Sequence, residues 1–369
     1  MLYDMCIVGA GLSGSTIARL AAEDGKKVLV LEKREHIGGN VYDTLDEITN
    51  IRISMYGAHI FHTNDEEVWT FVNRFGLWKR WDHQVLSLVN GTYVPMPITI
   101  TTVNTLFNLN IQSEDEMKTW LSKERIQCDT PVNSEESALN RVGQRIYDYL
   151  FHSYTRKQWD KEPSELEPSV LDRIPLRTNF DTRYFSDKYQ GLPVDGYTSL
   201  VSNMLNHENI TVQLNTPWTS HLEKTWKILI FTGPIDGYFK MSGLPPLEYR
   251  SIHFEWKRMI QPGFHQPASV VNYPGLDTPY TRTVEYKHFL HQSSPWTILS
   301  SETTSSEGEP YYPVPTLYNR ELYDKYKELA SQESDVHFVG RLATYKYFNM
   351  DQAIRNSMDY YRNTIRLDQ

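Results

Sequence analysis

The 369-residue sequence has little cysteine, no long apolar run and no excess of positive charge. Its two cysteines lie far apart, Cys6 in a predicted strand and Cys128 in a polar segment. We therefore expect no structural disulfide and a reducing, cytoplasmic location. The chain enters its first predicted strand at Tyr3, which leaves no room for a signal peptide and argues against secretion.

Other classes of protein are excluded in the same way. Without a run of about 18 apolar residues, the sequence predicts no membrane span. Its formal net charge of -9 opposes nucleic-acid binding. His59 and His62 have no further ligands at a suitable spacing, so no metal site is predicted. An anionic small substrate would need a local cluster of arginines against this acidic background.

Residues 3–40 carry the pattern of a dinucleotide-binding turn. A short apolar strand leads into Gly9, Gly11 and Gly14, a helical run follows, and Glu32 stands 18 residues beyond the last glycine. The glycines allow a tight turn, a close approach to a pyrophosphate and close packing of helix on strand. The helix N-terminus attracts the anion. Glu32 is predicted to bind the adenosine ribose; a solvent-exposed glycine loop is the alternative.

A second glycine pair distinguishes an FAD-binding domain from an NAD-binding one. Gly38 and Gly39, followed by Asn40, come after a basic pair and would bring backbone close to the same pyrophosphate and to the flavin ring. Plain nicotinamide domains do not usually carry this extension. It resembles the FAD-binding domain of the glutathione-reductase and amine-oxidase type, and the resemblance favours FAD.

Further motifs follow in a fixed order along nearly the whole chain. They occupy residues 37–40, 56–63, 154–159, 173–177, 184–191, 279–289, 309–314 and 340–347. Together they resemble the UDP-galactopyranose mutase family, flavoenzymes that interconvert the pyranose and furanose rings of UDP-galactose. The resemblance implies covalent catalysis without net redox, in which N5 of reduced FAD attacks the anomeric carbon and UDP leaves and returns. An external reductant such as NAD(P)H and a homodimer are further expectations.

The pattern and the resemblance predict an α/β fold with three domains. A discontinuous, Rossmann-like FAD-binding domain is assigned to residues 1–78, 193–238 and 318–369, a small helical domain to 100–172, and an antiparallel-sheet domain to 79–99, 173–192 and 239–317. Helical periodicity over 135–150 and short β-rich runs at 81–98, 249–260, 268–272 and 281–289 support this division. Strands at 222–231 and 336–340 are predicted to return to the cofactor domain. Residues 300–308, rich in Ser, Thr and Glu, predict a flexible surface connection.

The resemblance also implies roles for individual residues. The predicted flavin contacts are Gly9, Gly11, Gly14, Glu32, Gly38, Gly39, Asn40, His59, Gly340 and Arg341. The predicted nucleotide-sugar contacts are Tyr154, Trp159, Arg173, Tyr184, Asn272, Arg282, Tyr312 and Tyr347. The predicted catalytic residues are His62, which assists proton movement at the flavin, and Arg173 and Arg282, which clamp the diphosphate. Taken singly, the aromatics would more often be core residues, the arginines surface residues and the histidines satisfied in a turn.

Four positions depart from the family pattern. They are His83, Leu150, Asp160 and Asn349, and they leave the sugar open among UDP-galactose, UDP-N-acetylgalactosamine and dTDP-fucose. His59 agrees with the galactose type. Two other functions also stay open: a flavin oxidoreductase of the amine-oxidase type, and a silent UDP-sugar or flavin-binding protein.

Overall fold

The computed structural model describes residues 2–366; Met1 and residues 367–369, the ends of the predicted cofactor domain, lie outside the described residues. The strands are β1 (Tyr3–Val8), β2 (Val28–Leu31), β3 (Asp43–Leu45), β4 (Arg52–Ser54), β5 (Phe61–Thr63), β6 (Trp78–Arg80), β7 (Val85–Val89), β8 (Thr92–Met96), β9 (Tyr189–Pro193), β10 (Ile210–Gln213), β11 (Trp226–Phe231), β12 (Tyr249–Ile260), β13 (Val270–Asn272), β14 (Arg282–Glu285), β15 (Trp296–Ser305), β16 (Tyr312–Pro313) and β17 (Val336–Phe338). The helices are α1 (Leu12–Glu23), α2 (Glu66–Asn73), α3 (Ile100–Phe107), α4 (Glu114–Glu124), α5 (Ser134–Ile146), α6 (His152–Trp159), α7 (Ser169–Asp172), α8 (Gly196–Leu205), α9 (Ile235–Tyr238), α10 (Leu317–Ala330) and α11 (Met350–Tyr360).

A five-stranded sheet in the order β10-β2-β1-β11-β17 holds the N-terminal strand at its centre. All of its neighbouring strands are parallel. The four residues of β2 are all buried, as expected for a parallel sheet that is covered on both faces. The chain moves from β1 to β2 on one side and places β11 on the other. The strand order therefore changes direction at the carboxyl end of β1, where such sheets bind their ligands.

A seven-stranded sheet in the order β16-β12-β15-β14-β13-β7-β8 forms a second layer. Its neighbours are antiparallel except for β13 and β7, which are parallel. The prediction of a flexible connection at 300–308 is wrong for residues 300–305, which belong to β15. Ser300 and Glu302 are buried there, so their polar side chains face the inside of the structure rather than solvent. Part of the predicted strand at 281–289 is also different, because Tyr286–His291 forms a 3-10 turn.

Helices α3 to α7 lie one after another in the segment that was predicted to be helical. The predicted continuous helix over 135–150 is interrupted. Gly143 has φ +76°, and a Cβ there would overlap the carbonyl oxygen of Glu124, because α4 packs closely against α5. A π turn over Tyr147–Phe151 then leads into α6. The interruption orients α6, which carries two predicted substrate residues.

The five parallel strands all fall within the segments assigned to the cofactor domain, and the strands of the seven-stranded sheet within those of the sheet domain. The domain boundaries themselves stay predictions. Among residues 2–366, no helix is long and apolar enough to cross a membrane.

Candidate active site

A cleft of about 1530 Å³ runs from the glycine turn after β1 to the inner face of α6. A drug-sized ligand occupies roughly 300–1,000 Å³. The cleft therefore has room for a dinucleotide and a second ligand side by side. Every predicted site residue except Gly14 lines it.

The glycine turn forms the cofactor end of the cleft. β1 ends at Val8 and α1 begins at Leu12, with Gly11 as its N-cap. A Cβ on Gly14 would overlap the carbonyl oxygen of Gly9, so Gly14 acts by letting α1 lie close to the strand. A Cβ on Gly39 would lie only 3.0 Å from the Cα of Gly11. The two glycine segments thus meet, which leaves bare backbone and a helix N-terminus facing the cleft, as a pyrophosphate requires.

Glu32 is buried directly after β2 and has a second task besides the predicted ribose contact. Its Oε2 accepts a hydrogen bond from the backbone N–H of Ala10 at 2.9 Å, and its Oε1 accepts one from that of Arg34 at 2.9 Å. Each carboxylate oxygen retains a further lone pair, so the ribose contact stays compatible with this geometry. Asn40 accepts a hydrogen bond from the guanidinium of Arg34 at 3.1 Å. Glu32 and Asn40 therefore also hold the shape of the turn.

Arg341 follows β17 and the turn at Gly340. Its guanidinium lies 4.5 Å from the ring centre of Tyr347 and 5.2 Å from that of Tyr312. Its Nε is buried and has no hydrogen-bond partner within residues 2–366. A buried, unsatisfied donor on a cation is costly unless an anion meets it. Together with the glycine cradle, this orphaned donor fits the pyrophosphate of a flavin dinucleotide.

His62 projects from β5 into the cleft and is held on two sides. Its Nδ1 lies 2.9 Å from Oδ2 of Asp187, and its ring stacks on Phe185 with centroids 3.7 Å apart. Asn64 donates a hydrogen bond to the other oxygen of Asp187 at 2.8 Å. Because a carboxylate only accepts, Nδ1 of His62 carries a hydrogen, and in the neutral ring Nε2 is a proton acceptor.

His59 has the same tautomer for a different reason. Its Nδ1 lies 2.8 Å from the carbonyl oxygen of Gly57, which also only accepts. Burial, reinforced by the cations of Arg341 and Arg282, lowers the pKa of His59 to about 4. The ring is therefore neutral near pH 7 and offers Nε2 as an acceptor. Residues 2–366 contain no group of three or more His, Cys, Asp or Glu side chains arranged to hold a metal ion.

Arg282 and Glu302 form a cross-strand ion pair in the wall of the cleft. They face each other in the register of β14 and β15, with Nε of Arg282 2.6 Å from Oε2 of Glu302. Glu302 is 1% exposed, and its Oε1 has no hydrogen-bond partner. None of the residues 2–366 accepts a hydrogen bond from the two Nη groups of Arg282. Glu302 therefore fixes the guanidinium by one edge and leaves its other donors for a ligand.

Arg173 reaches the same place from the segment after α7. Its guanidinium lies 4.6 Å from the ring centre of Tyr347, which also lies beside Arg341. Burial opposes ionisation of Tyr347, but the cations of Arg173, Arg341 and Arg282 outweigh it and lower its pKa. The structure thus brings together three guanidiniums from three parts of the chain.

Aromatic and amide side chains also line the cleft. Burial raises the pKa of Tyr154 to about 12 and also raises the pKa of Tyr184, so both keep their phenol hydrogens near neutral pH. Trp159 is 5% exposed and packs edge-on against Tyr312, so it contributes to the core as well as to the wall. Asn272 is the register partner of Arg282 across β13 and β14.

Three of the four departures from the family pattern line the cleft, and Asp160 does not. Asp160 has a side chain that is 79% exposed and lies 3.7 Å from Arg250. His83 is buried, and its Nδ1 accepts a hydrogen bond from the indole N–H of Trp81 at 3.3 Å. Burial, then Arg282 and His62, lower the pKa of His83 to about 3. A neutral imidazole with its hydrogen on Nε2 therefore lines the cleft.

Comparison with known proteins identifies the family of this site. Residues 149–347 match the family model described as UDP-galactopyranose mutase, and residues 7–75 match that of an NAD(P)-binding Rossmann-like domain. A dTDP-fucopyranose mutase of Escherichia coli is 38% identical over 96% of both chains. The chain belongs to the UDP-galactopyranose mutase family. This confirms the predicted family, and with it a mutase, a class of isomerase, that binds a flavin.

A second relative agrees with this family, and a solved structure has the same fold. A probable UDP-galactopyranose mutase of Klebsiella pneumoniae is 38% identical, covering 96% of this chain and 93% of that protein. A solved structure of reduced UDP-galactopyranose mutase has a TM-score of 0.78 at 18% identity, covering 99% of this chain and 96% of the other. The predicted α/β fold class, with its Rossmann-like domain, is confirmed by this likeness and by the parallel sheet.

Two residues with a clear place in the site had no role in the sequence-based assignment. Asp187 lies within the motif at 184–191, but nothing in its spacing indicates that it would meet His62, which is 125 positions away. Glu302 lies in the segment that was predicted to be a surface connection. The β-rich run Trp-Thr-Ile-Leu at 296–299, directly before this segment, was the signal that could have extended a strand to Glu302.

Proposed function

We propose that the protein interconverts UDP-galactopyranose and UDP-galactofuranose with reduced FAD and without net redox. The observation that carries this proposal is the convergence of Arg173, Arg282 and Arg341 on one wall of the cleft in a chain of net charge -9. Guanidiniums bind phosphate oxygens through paired hydrogen bonds. A diphosphate-linked ligand next to a flavin pyrophosphate is the partner that suits such a wall.

Reduced FAD, when bound, supplies a nucleophilic N5 for the anomeric carbon of the sugar. The residues of the chain supply position and charge. Arg173 and Arg282 retain the diphosphate while its bond to the sugar is broken and remade, which is where negative charge develops. His62, with Nδ1–H fixed on Asp187, offers Nε2 to a proton at the edge of the flavin.

The identity of the sugar is the finer part of the proposal. Relatives named for dTDP-fucopyranose and for UDP-galactopyranose are equally similar to this chain. His83, Leu150 and Asn349 all line the cleft and differ from the usual family residues. The retained His59 supports UDP-galactose as the first candidate, and dTDP-fucose and UDP-N-acetylgalactosamine are the alternatives.

Product analysis with dithionite-reduced protein tests this function. UDP-galactofuranose should be converted to the pyranose over many turnovers per flavin, and dTDP-fucose and UDP-N-acetylgalactosamine are run in parallel to find the preferred sugar. Consumption of NADPH in proportion to product would instead support an oxidoreductase of the amine-oxidase type. Binding of the nucleotide sugars without any product would support a silent binding protein.

Three further properties belong to the same proposal. An external reductant such as NAD(P)H would keep the flavin reduced between turnovers. A homodimer and a cytoplasmic location are carried over from the sequence and from the family resemblance.

A further inference from the structure

Arg141 lies outside the cleft, yet its hydrogen bonds lead directly to Arg173. Its Nη1 donates a hydrogen bond to the carbonyl oxygen of Leu171 at 2.7 Å, and its Nη2 donates one to that of Ile174 at 2.5 Å. These two carbonyls stand on either side of Arg173. The two donors of one guanidinium thus span the backbone segment that presents Arg173 to the cleft.

The same face of α5 makes a second contact with this segment. Ser137, one turn before Arg141, donates a hydrogen bond to the carboxylate of Asp172. Residues four apart on a helix lie on one face. The α5 face defined by Ser137 and Arg141 therefore makes three hydrogen bonds to α7 and the residues after it.

Arg141 donates to backbone carbonyls instead of to a carboxylate, which indicates that it positions the backbone beside Arg173. Arg141 forms no direct ion pair with residues 2–366: the nearby carboxylate of Asp172 favours its charge, but burial outweighs this and lowers the pKa of Arg141. The last carbonyls of a helix have no partner inside the helix, and a nearby arginine can satisfy them. Without Arg141, the carbonyl oxygen of Leu171 would keep only backbone donors such as the N–H of Ile174 at 3.1 Å, and the carbonyl oxygen of Ile174 would lose its side-chain donor.

We propose that Arg141 is a positioning residue for nucleotide binding, which acts by holding Leu171 and Ile174 so that Arg173 points towards Tyr347. This inference rests on the proposed function, because it takes the diphosphate as the ligand of Arg173. Arg141 touches neither substrate nor cofactor in this arrangement. Its contribution is therefore transmitted wholly through Arg173.

A double-mutant cycle on the flavin-loaded protein tests this inference, with UDP and dTDP as probes. Arg141→Met should weaken binding of the nucleotide about tenfold, part of what Arg173→Ala loses. In the Arg173→Ala background, Arg141→Met should cause no further loss, because residues that act through one group are not additive. Arg141→Lys keeps a donor but can reach only one carbonyl at a time, so its affinity for the nucleotides should lie between those of the unmodified protein and Arg141→Met. This variant also keeps the test valid if the methionine variant misfolds.

Arg145→Met is the matched control, because Arg145 lies four residues further along the chain, beyond the interruption at Gly143, and pairs with Glu124 instead of the segment. It should bind UDP and dTDP like the unmodified protein. The inference is overturned if Arg141→Met and Arg141→Lys also bind the nucleotides like the unmodified protein. It is overturned as well if Arg141→Met lowers the affinity by the same factor in the Arg173→Ala background. Failure of the proposed function has a different signature: Arg173→Ala itself would leave both affinities unchanged.

Discussion

Replacing Arg282 by methionine separates two consequences of one ion pair. The change removes a guanidinium that is proposed to bind the diphosphate, and it also strands the carboxylate of Glu302, which is 1% exposed. Removing one partner of a buried pair costs about 3–5 kcal/mol of stability. Since the side chain of Arg282 is 29% exposed to the cleft, we expect the lower end, about 3 kcal/mol. Loss of the charge-assisted bond to phosphate costs about 1.5–3 kcal/mol, or one to two decades in affinity for UDP.

Adding Glu302→Gln to Arg282→Met should separate these effects. The second substitution removes the stranded charge, so most of the lost stability should return in chemical denaturation followed by intrinsic fluorescence. Binding of UDP and single-turnover rates with reduced flavin should stay as low as in Arg282→Met, because the guanidinium is still absent. The flavin content of both variants should match that of the unmodified protein.

A distant pair provides the control for this experiment. Arg258 and Asp46 form a similar contact at 2.5 Å, with Asp46 buried, but neither lines the cleft. Arg258→Met should lower stability and leave the affinity for UDP unchanged. If Arg282→Met binds UDP and turns over like Arg258→Met, the assignment of Arg282 to the diphosphate is wrong. If the double variant regains turnover along with stability, the loss came from the stranded carboxylate.

Three further outcomes are expected. Heat should release non-covalent FAD from the purified protein, identified by chromatography; NAD alone, or no dinucleotide after reconstitution, would contradict the reading of the glycine turn. Asp187→Asn, whose amide can donate to His62 and stabilise the other tautomer, should slow turnover by about 10²-fold while UDP affinity is kept; equal turnover would remove His62 from the chemistry. The pKa of His83 is lowered to about 3 in the folded protein, against about 6.5 in the unfolded chain. Below about pH 6.5, protons therefore bind to the unfolded chain first, and the free energy of unfolding should fall. His83→Gln should flatten this fall in denaturation curves between pH 6.5 and 4, and an unchanged slope would contradict the neutral, buried ring.

The cofactor half of the site could be predicted from the sequence because its determinants are local. Gly9, Gly11 and Gly14 lie within one turn and one helix, and the flanking strands have apolar runs that indicate a parallel sheet. The structure adds that Glu32 is already bonded to the backbone of the same turn. These hydrogen bonds join Glu32 to Ala10 and Arg34, which belong to the same predicted strand–turn–helix–strand pattern.

The other contacts depend on distances along the chain that no local pattern encodes. His62 meets Asp187 only after β5 has paired with β9, and Arg282 meets Glu302 only after β14 has paired with β15. The polar composition of 300–308 indicated a surface connection, because composition does not say which way a strand's side chains point. Once β15 pairs with β14, Glu302 turns inward, and the burial of a charge is explained by its partner.

The three arginines of the cleft reach it from different structural units. Arg341 follows a strand of the parallel sheet, Arg282 belongs to the antiparallel sheet, and Arg173 follows the helices. Glu302 pairs with Arg282, whereas neither Arg173 nor Arg341 forms an ion pair with a carboxylate of residues 2–366. The diphosphate of the proposed substrate would meet Arg173 and Arg282, and the pyrophosphate of the proposed flavin would meet Arg341, so the two ligands together would link the three units. Retention of UDP during the proposed ring interconversion would then hold the units together while the sugar bond is open.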